Sequence, residues 1–185
     1  MITYASDKPI RAFFLRHIRP ASRVLDAGCG EGWATYIVAK SRPDCAVIGV
    51  DQSRRKVQAA NRLLLRSRLR SRAVCRVESA ERLGRHFGRS VFDCAVTSHS
   101  LHHFDKPRRV LREIRAVLRP EGELLLGELT PEYGGRDDCP RYPLRKIVRL
   151  VKESGFQVIA AETRRPGVIL VRARKPARPH GRFTR

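Results

Sequence analysis

The stretch Val24-Leu25-Asp26-Ala27-Gly28-Cys29-Gly30-Glu31-Gly32 decides the fold. An apolar run passes an acid into three alternating glycines, and a helical pattern occupies residues 33–41. Strand, glycine turn and helix in that order open a βαβ unit. In such sheets, ligands bind beyond the carboxyl ends of the strands, and glycines let the backbone approach them with positive φ. The spacing is G-x-G-x-G. A dinucleotide fingerprint would place its third glycine one residue later, where Trp33 stands. Asp26 would also repel a pyrophosphate, so the loop suits a ligand that carries positive charge.

Outward from the loop, Cys45–Asp51 is a second apolar run that ends in an acid. Asp51 lies 19 residues past Gly32, close to the offset at which a strand-end acid reaches ribose hydroxyls. Further strand-like runs are Arg23–Asp26, Ala73–Glu78, Phe92–Thr97, Gly122–Glu128, Phe156–Thr163 and Val168–Ala173. Helical periodicity marks 7–18, 33–41, 54–66, 107–119 and 143–153, with Ser6 as the expected cap of the first. Alternating strands and helices predict an α/β chain with a seven-stranded, mostly parallel sheet covered on both faces. The last two runs are separated only by Arg164–Gly167, which predicts a C-terminal antiparallel hairpin. Residues 1–174 read as a single domain, and 175–185 as a basic, disordered tail.

Four blocks in order resemble the class I S-adenosylmethionine-dependent methyltransferases, in particular the branch with the ubiquinone and menaquinone methyltransferases. They are VLDAGCGEG (24–32), VIGVDQS (47–53), FDCAVTSHSLHHF (92–104) and VLREIRAVLRPEGELLLGE (110–128). The resemblance covers about residues 20–130 and implies a Rossmann-like sheet and S-adenosylmethionine as cofactor. On that basis Gly28, Cys29 and Gly30 line the methionine part, with Asp26 near its amino group. Asp51 accepts from the ribose hydroxyls, Gln52 lies beside the adenine, and Ser98 approaches the methionine end. Ser79 and Ala80 form the turn after the third strand, where family members commonly carry an acid. The resemblance also argues against adenine-N6 and glutamine methylation, whose enzymes often carry an Asn/Asp-Pro-Pro-aromatic turn where this chain has Ser98-His99-Ser100-Leu101.

Methyl transfer is an in-line displacement that needs alignment, and a base only where the nucleophile must lose a proton. His99, His102 and His103 cluster after the fourth strand, and His99 and His103 are the expected catalytic bases. Glu128 is expected to face the same edge. The loop Thr130–Pro143 is expected to cover the acceptor. No metal site is expected.

The 185 residues carry 39 Lys plus Arg against 18 Asp plus Glu, a net charge of +21 that remains +13 without residues 163–185. Hydrophobic residues make up 42% of the chain, enough for a core, so a disordered basic protein is excluded. Arginine outnumbers lysine 32 to 7, which fits either phosphate recognition or a general arginine bias. The stripe Arg108, Arg112, Arg115 and Arg119 marks an RNA footprint or a solvated helix face. No apolar run reaches the roughly 20 residues of a membrane span, and the first residues lack a signal-peptide core. Five cysteines without a CxxC pair argue against a disulfide framework and for a reducing, cytoplasmic compartment. The expected partner is a small-molecule acceptor, with RNA as the alternative acceptor and a second copy of the chain as a means of closing an open site. A non-catalytic binding module on the same fold is a third reading.

Overall fold

The computed structural model describes residues 7–133, 141–165 and 167–177. The expected cap Ser6, the centre of the Thr130–Pro143 loop and most of the expected tail lie outside the described residues. Seven strands form one sheet: β1 (Arg23–Ala27), β2 (Ala46–Asp51), β3 (Ala73–Val77), β4 (Phe92–Ser98), β5 (Leu118–Leu129), β6 (Gln157–Arg164) and β7 (Val168–Arg174). Their order is β3-β2-β1-β4-β5-β7-β6. The first five run parallel, and β7 lies antiparallel between β5 and β6. The expected mixed sheet with a terminal hairpin is therefore the observed one. The chain moves outward from β1 through β2 to β3, then returns to place β4 on the other side of β1. That reversal leaves a crevice at the carboxyl ends of β1 and β4.

The helices are α1 (Asp7–His17), α2 (Trp33–Ser41), α3 (Arg54–Arg66), α4 (Leu83–Phe87), α5 (Pro107–Val117) and α6 (Leu144–Glu153). One core joins α1, α2 and α3 to one sheet face through residues such as Phe14, Val38 and Leu64. The other joins α4, α5 and α6 to the opposite face through Leu83, Ile114 and Val151. The central strands are apolar on both faces because both are covered. β1 is buried along all but its first residue, and so is β4 apart from Asp93 and Ser98. Asp93 keeps partners at the opposite rim, accepting from Arg23 N and Arg119.

Two boundaries differ from the sequence expectation. The amphipathic pattern ran the fifth helix to residue 119, but α5 stops at Val117 and β5 starts at Leu118, which pairs with Phe92. Pro120 accounts for this, because the residue before a proline is pushed out of the α region. α4 went unread, since five residues carry too little periodicity to identify a helix. β6 reads as an apolar run yet is exposed along almost its whole length, because it is the sheet's outer edge.

The glycine loop is fixed by backbone geometry. Gly28 and Cys29 both donate to Val50 O at 2.9 Å, tying the loop to β2. Gly28 has φ 77°, and a Cβ there would stand 2.7 Å from Ser100 Cβ. Gly32 has φ 87° and packs against α3, where an added Cβ would stand 2.7 Å from Ala60 Cβ. Gly32→Ala therefore combines left-handed strain with a clash between two helices. We expect it to lower stability by about 2–4 kcal/mol in urea unfolding.

Candidate active site

A cavity of about 340 Å³ opens at the carboxyl ends of β1, β2 and β4. Gly28, Cys29 and Gly30 form one wall, and Asp51 and Gln52 at the end of β2 form the next. Ala80 lies in the 3₁₀ turn Ala80–Arg82 that follows β3. Ser98, His99 and His103 close the β4 side. Nine of the eleven residues singled out from the sequence thus meet at one cavity. The two others lie elsewhere. Ser79 caps the 3₁₀ turn, its hydroxyl accepting from Glu81 N at 3.2 Å. Asp26 sits behind the glycine loop and borders an adjoining chamber of about 110 Å³.

Asp51 is aimed by two backbone donors. Its Oδ2 accepts from Gly30 N at 3.0 Å and its Oδ1 from Ser53 N at 2.9 Å. The carboxylate therefore bridges the glycine loop and the start of α3 and borders the cavity in one fixed pose. Lys56, Glu78, Ser100 and Phe104 also line the cavity. Sequence reasoning assigned none of these four to the cofactor site. Their signal was positional, since Lys56 lies in the first turn of the helix after Asp51 and Glu78 directly follows β3. Ser100 joins the two loops, its hydroxyl lying 2.8 Å from both Gly28 O and Ser98 O.

Asp26 is 1% exposed. Its Oδ2 accepts from Thr35 N at 2.9 Å and from Thr35 Oγ1 at 2.7 Å, locking the first turn of α2 to the end of β1. Burial pushes its carboxyl up to about 6, against these two hydrogen bonds, which pull it down. Contact with Cys75, together with burial, raises the Cys29 thiol, so Cys29 lines the cavity as a neutral thiol. The four described cysteines are all free and buried.

The histidine cluster divides into different roles. His102 is buried, with Nδ1 2.8 Å from Glu128 Oε2. Glu128 Oε1 accepts from Leu101 N at 2.6 Å. Glu128 was expected at the open edge, yet it is 3% exposed and turned inward. It holds the 3₁₀ turn Leu101–His103, so it shapes the wall that carries His99 and His103. His103 is exposed and its ring leans against that of His102 at a tilt of 43°, the centroids 4.0 Å apart. His99 is partly buried, lines both the cavity and the chamber, and has φ 51°. Three arginines of the stripe pair with groups of the same chain at the surface. Arg108 pairs with Glu153, Arg119 with Asp93, and Arg115 donates to Gly155 O at 2.9 Å.

A family model described as a methyltransferase domain matches residues 18–161. The chain belongs to the methyltransferase domain family. This methyltransferase domain is similar to a 27-O-demethylrifamycin SV methyltransferase of Amycolatopsis mediterranei, 32% identical over 145 residues. That match takes in 77% of this chain and 49% of the relative, so the chain spans about half the length of the curated relative. Among solved structures it is similar to the [4+2]-cyclase SpnF, with a TM-score of 0.83 at 21% identity, covering 93% of this chain and 81% of that one. It is also similar to a Burkholderia thailandensis 1,6-didemethyltoxoflavin-N1-methyltransferase with bound S-adenosylhomocysteine. There the TM-score is 0.74 at 24% identity, covering 93% and 79% of the two chains. At these identities the structures establish the fold. A cyclase among them shows that the chemistry has to be argued from the site.

Two outcomes follow from this geometry. Between about pH 4 and 6, native Asp26 holds a proton that the unfolded chain has released, so its contribution to stability declines as pH rises through 6. Asp26→Asn removes that decline. We expect the urea-unfolding stability of the variant relative to the parent to improve by about 2 kcal/mol from pH 4 to pH 7.5. Glu128→Ala leaves the Leu101 amide and the His102 ring without their buried acceptor. We expect a loss of about 2–4 kcal/mol in the same assay.

Proposed function

We propose that this methyltransferase domain binds S-adenosylmethionine and transfers its methyl group to a small-molecule acceptor. The observation that carries the reading is the Asp51 carboxylate, held by Gly30 N and Ser53 N at the rim of the cavity. A carboxylate fixed in that way suits a pair of ribose hydroxyls, since it can accept from both. Gln52 and Ala80 stand on the side suited to the adenine, while Gly28, Gly30 and Ser98 stand on the side suited to the amino-acid part. Asp26 supports the same orientation. Its buried carboxyl lacks an ion-paired cation among the described residues, and an approaching ammonium would favour its charged form. When bound, the cofactor supplies an electrophilic methyl on a sulfonium sulfur. The chain's own part is to align and enclose the reacting groups.

The rifamycin-class relative supports a small acceptor. RNA is less well supported, because Arg108, Arg115 and Arg119 of the stripe, though at the surface, are already paired with Glu153, Gly155 O and Asp93 of the same chain. The four buried free thiols favour a reducing, cytoplasmic compartment. No described helix is long and apolar enough to cross a membrane.

Calorimetry with S-adenosylmethionine tests the reading. The parent chain is expected to bind in the micromolar range, and Asp51→Ala to weaken binding by more than tenfold. Absence of binding by the parent, or unchanged binding by the variant, would overturn it.

A further inference from the structure

The positive charge of the chain is concentrated rather than evenly spread. Residues 52–77 hold nine of the 39 Lys and Arg and none of the 18 Asp and Glu. Residues 78–130, which include the α5 stripe, hold nine cations against eight acids. A general arginine bias would not empty one stretch of its acids. The arginines of the two stretches also differ in what they do. Arg108, Arg115 and Arg119 are paired with Glu153, Gly155 O and Asp93. Arg54, Arg55, Arg62, Arg66, Arg68 and Arg70 are all exposed, and their side chains make no ion pair or hydrogen bond among the described residues.

The fold gathers this charge on one surface. α3 buries Val57, Ala60 and Leu64, so helical spacing puts Arg55, Arg62 and Arg66 on the opposite, outward side. These three span about 17 Å along the helix axis. Arg68 and Arg70 continue the row beyond its end. Asn61 fastens α3 to the sheet: its Nδ2 donates to Cys75 O at 2.8 Å, and its Oδ1 accepts from Cys75 N at 2.9 Å. Those backbone groups belong to β3, an edge strand, so the edge is closed to strand addition at that point and the arginine row is held on a fixed support. The chain enters α3 from the carboxyl end of β2 and leaves it for the start of the parallel strand β3. α3 therefore runs away from the cofactor cavity, and Arg62, Arg66, Arg68 and Arg70 stand toward the opposite rim of the sheet.

We infer that the outer face of α3, continued by Arg68 and Arg70, docks on the phosphate backbone of a nucleic acid duplex. Eight of the nine cations in residues 52–77 are arginine, whose planar fork matches phosphate oxygens in pairs. The stretch contains no Phe, Trp or Tyr, so it offers nothing on which unpaired bases could stack, and a duplex, whose bases are already stacked, fits it better than a single strand. Leu65 is the large apolar side chain exposed on α3. A protein partner would need a wider apolar centre, and a lipid surface would need the apolar helix face that α3 has sunk in the core. The contact is one of charge with charge, indifferent to base sequence. It anchors the domain, does not make the nucleic acid the methyl acceptor, and stands independently of the proposed methyl transfer.

The test is fluorescence anisotropy of the full chain with labelled DNA duplexes of about 20 base pairs and two unrelated sequences, at about 100 mM salt. The triple variant Arg62→Gln, Arg66→Gln, Arg70→Gln removes charge from the row. A control, Arg112→Gln, Arg145→Gln, Arg149→Gln, removes as many exposed charges from α5 and α6. Both keep residues 175–185. The parent is expected to bind the two duplexes in the micromolar range, with affinities within about threefold of each other. The row variant is expected to bind more than tenfold more weakly, and its slope of log affinity against log salt to fall by about 2–3. The control is expected to stay within about threefold of the parent. Should the row variant unfold in urea at lower concentration than the parent, Arg66→Gln alone carries the test through a slope lower by about 1. Absent binding by the parent, equal losses in both triple variants, or an unchanged salt slope overturns the inference. So does tighter binding to a single strand of the same sequence or to phosphatidylglycerol vesicles.

Discussion

The buried contact between Asp26 and Thr35 is the constraint on which the site depends. β1 delivers a carboxylate into the interior at the point where the chain must turn, and the first turn of α2 closes over it with two donors. The contact sets where α2 starts, and so where the three glycines between strand and helix must run. It is also costly. Burial raises the carboxyl well above its ordinary range, so the fold carries an acid that would be better solvated elsewhere. A purely structural turn could be made without it. The cost is explained if a cationic ligand group completes the arrangement.

The rest of the site is built by cross-links between neighbouring strand ends. Val50 O draws in the amides of Gly28 and Cys29. Asp51 ties Gly30 to the start of α3. Ser100 ties the loop after β4 to Gly28, and Glu128 anchors that loop from β5. Each link spans two sheet neighbours, so the cavity wall is as rigid as the sheet beneath it. Only the inner layer is tied down in this way. The outer helices carry the charge of the chain, and several of its arginines serve as struts. Arg172 makes a two-pronged contact at 2.8 Å with Glu123, locking β7 to β5 at the rim opposite the site. A net charge of +21 thus contains structural cations as well as solvated ones.

Much of the fold was legible because its signals are local. The central strands read as apolar runs since both their faces are covered, and α3 and α5 read as helices since only one face of each is. The runs that misled did so for lack of local information. Nothing in the composition of β6 says that it is an edge, because edge position is set by which strands pair. The end of α5 depended on a proline two residues beyond the apolar pattern rather than on the pattern itself. Glu128 illustrates the limit at the site. Its place at the end of β5 was evident, but whether it faced the cavity or the turn Leu101–His103 depended on how β5 sits against the loop after β4.

By itself, the sequence determined the sheet, the position of the glycine loop and the pairing of that loop with the acid at residue 51. These depend on strand–turn–helix order and on backbone conformations that few residues other than glycine adopt. Only the tertiary structure decided what each polar side chain does. It turned Ser79 into a cap and Glu128 into an internal anchor, and it sank Asp26 behind the loop. It also brought Asp7 from the start of α1 to within 3.4 Å of His99. The physical reason is range. Backbone preference and apolar periodicity act over a few residues, whereas hydrogen-bond partners and burial are fixed by elements that meet only when the sheet closes.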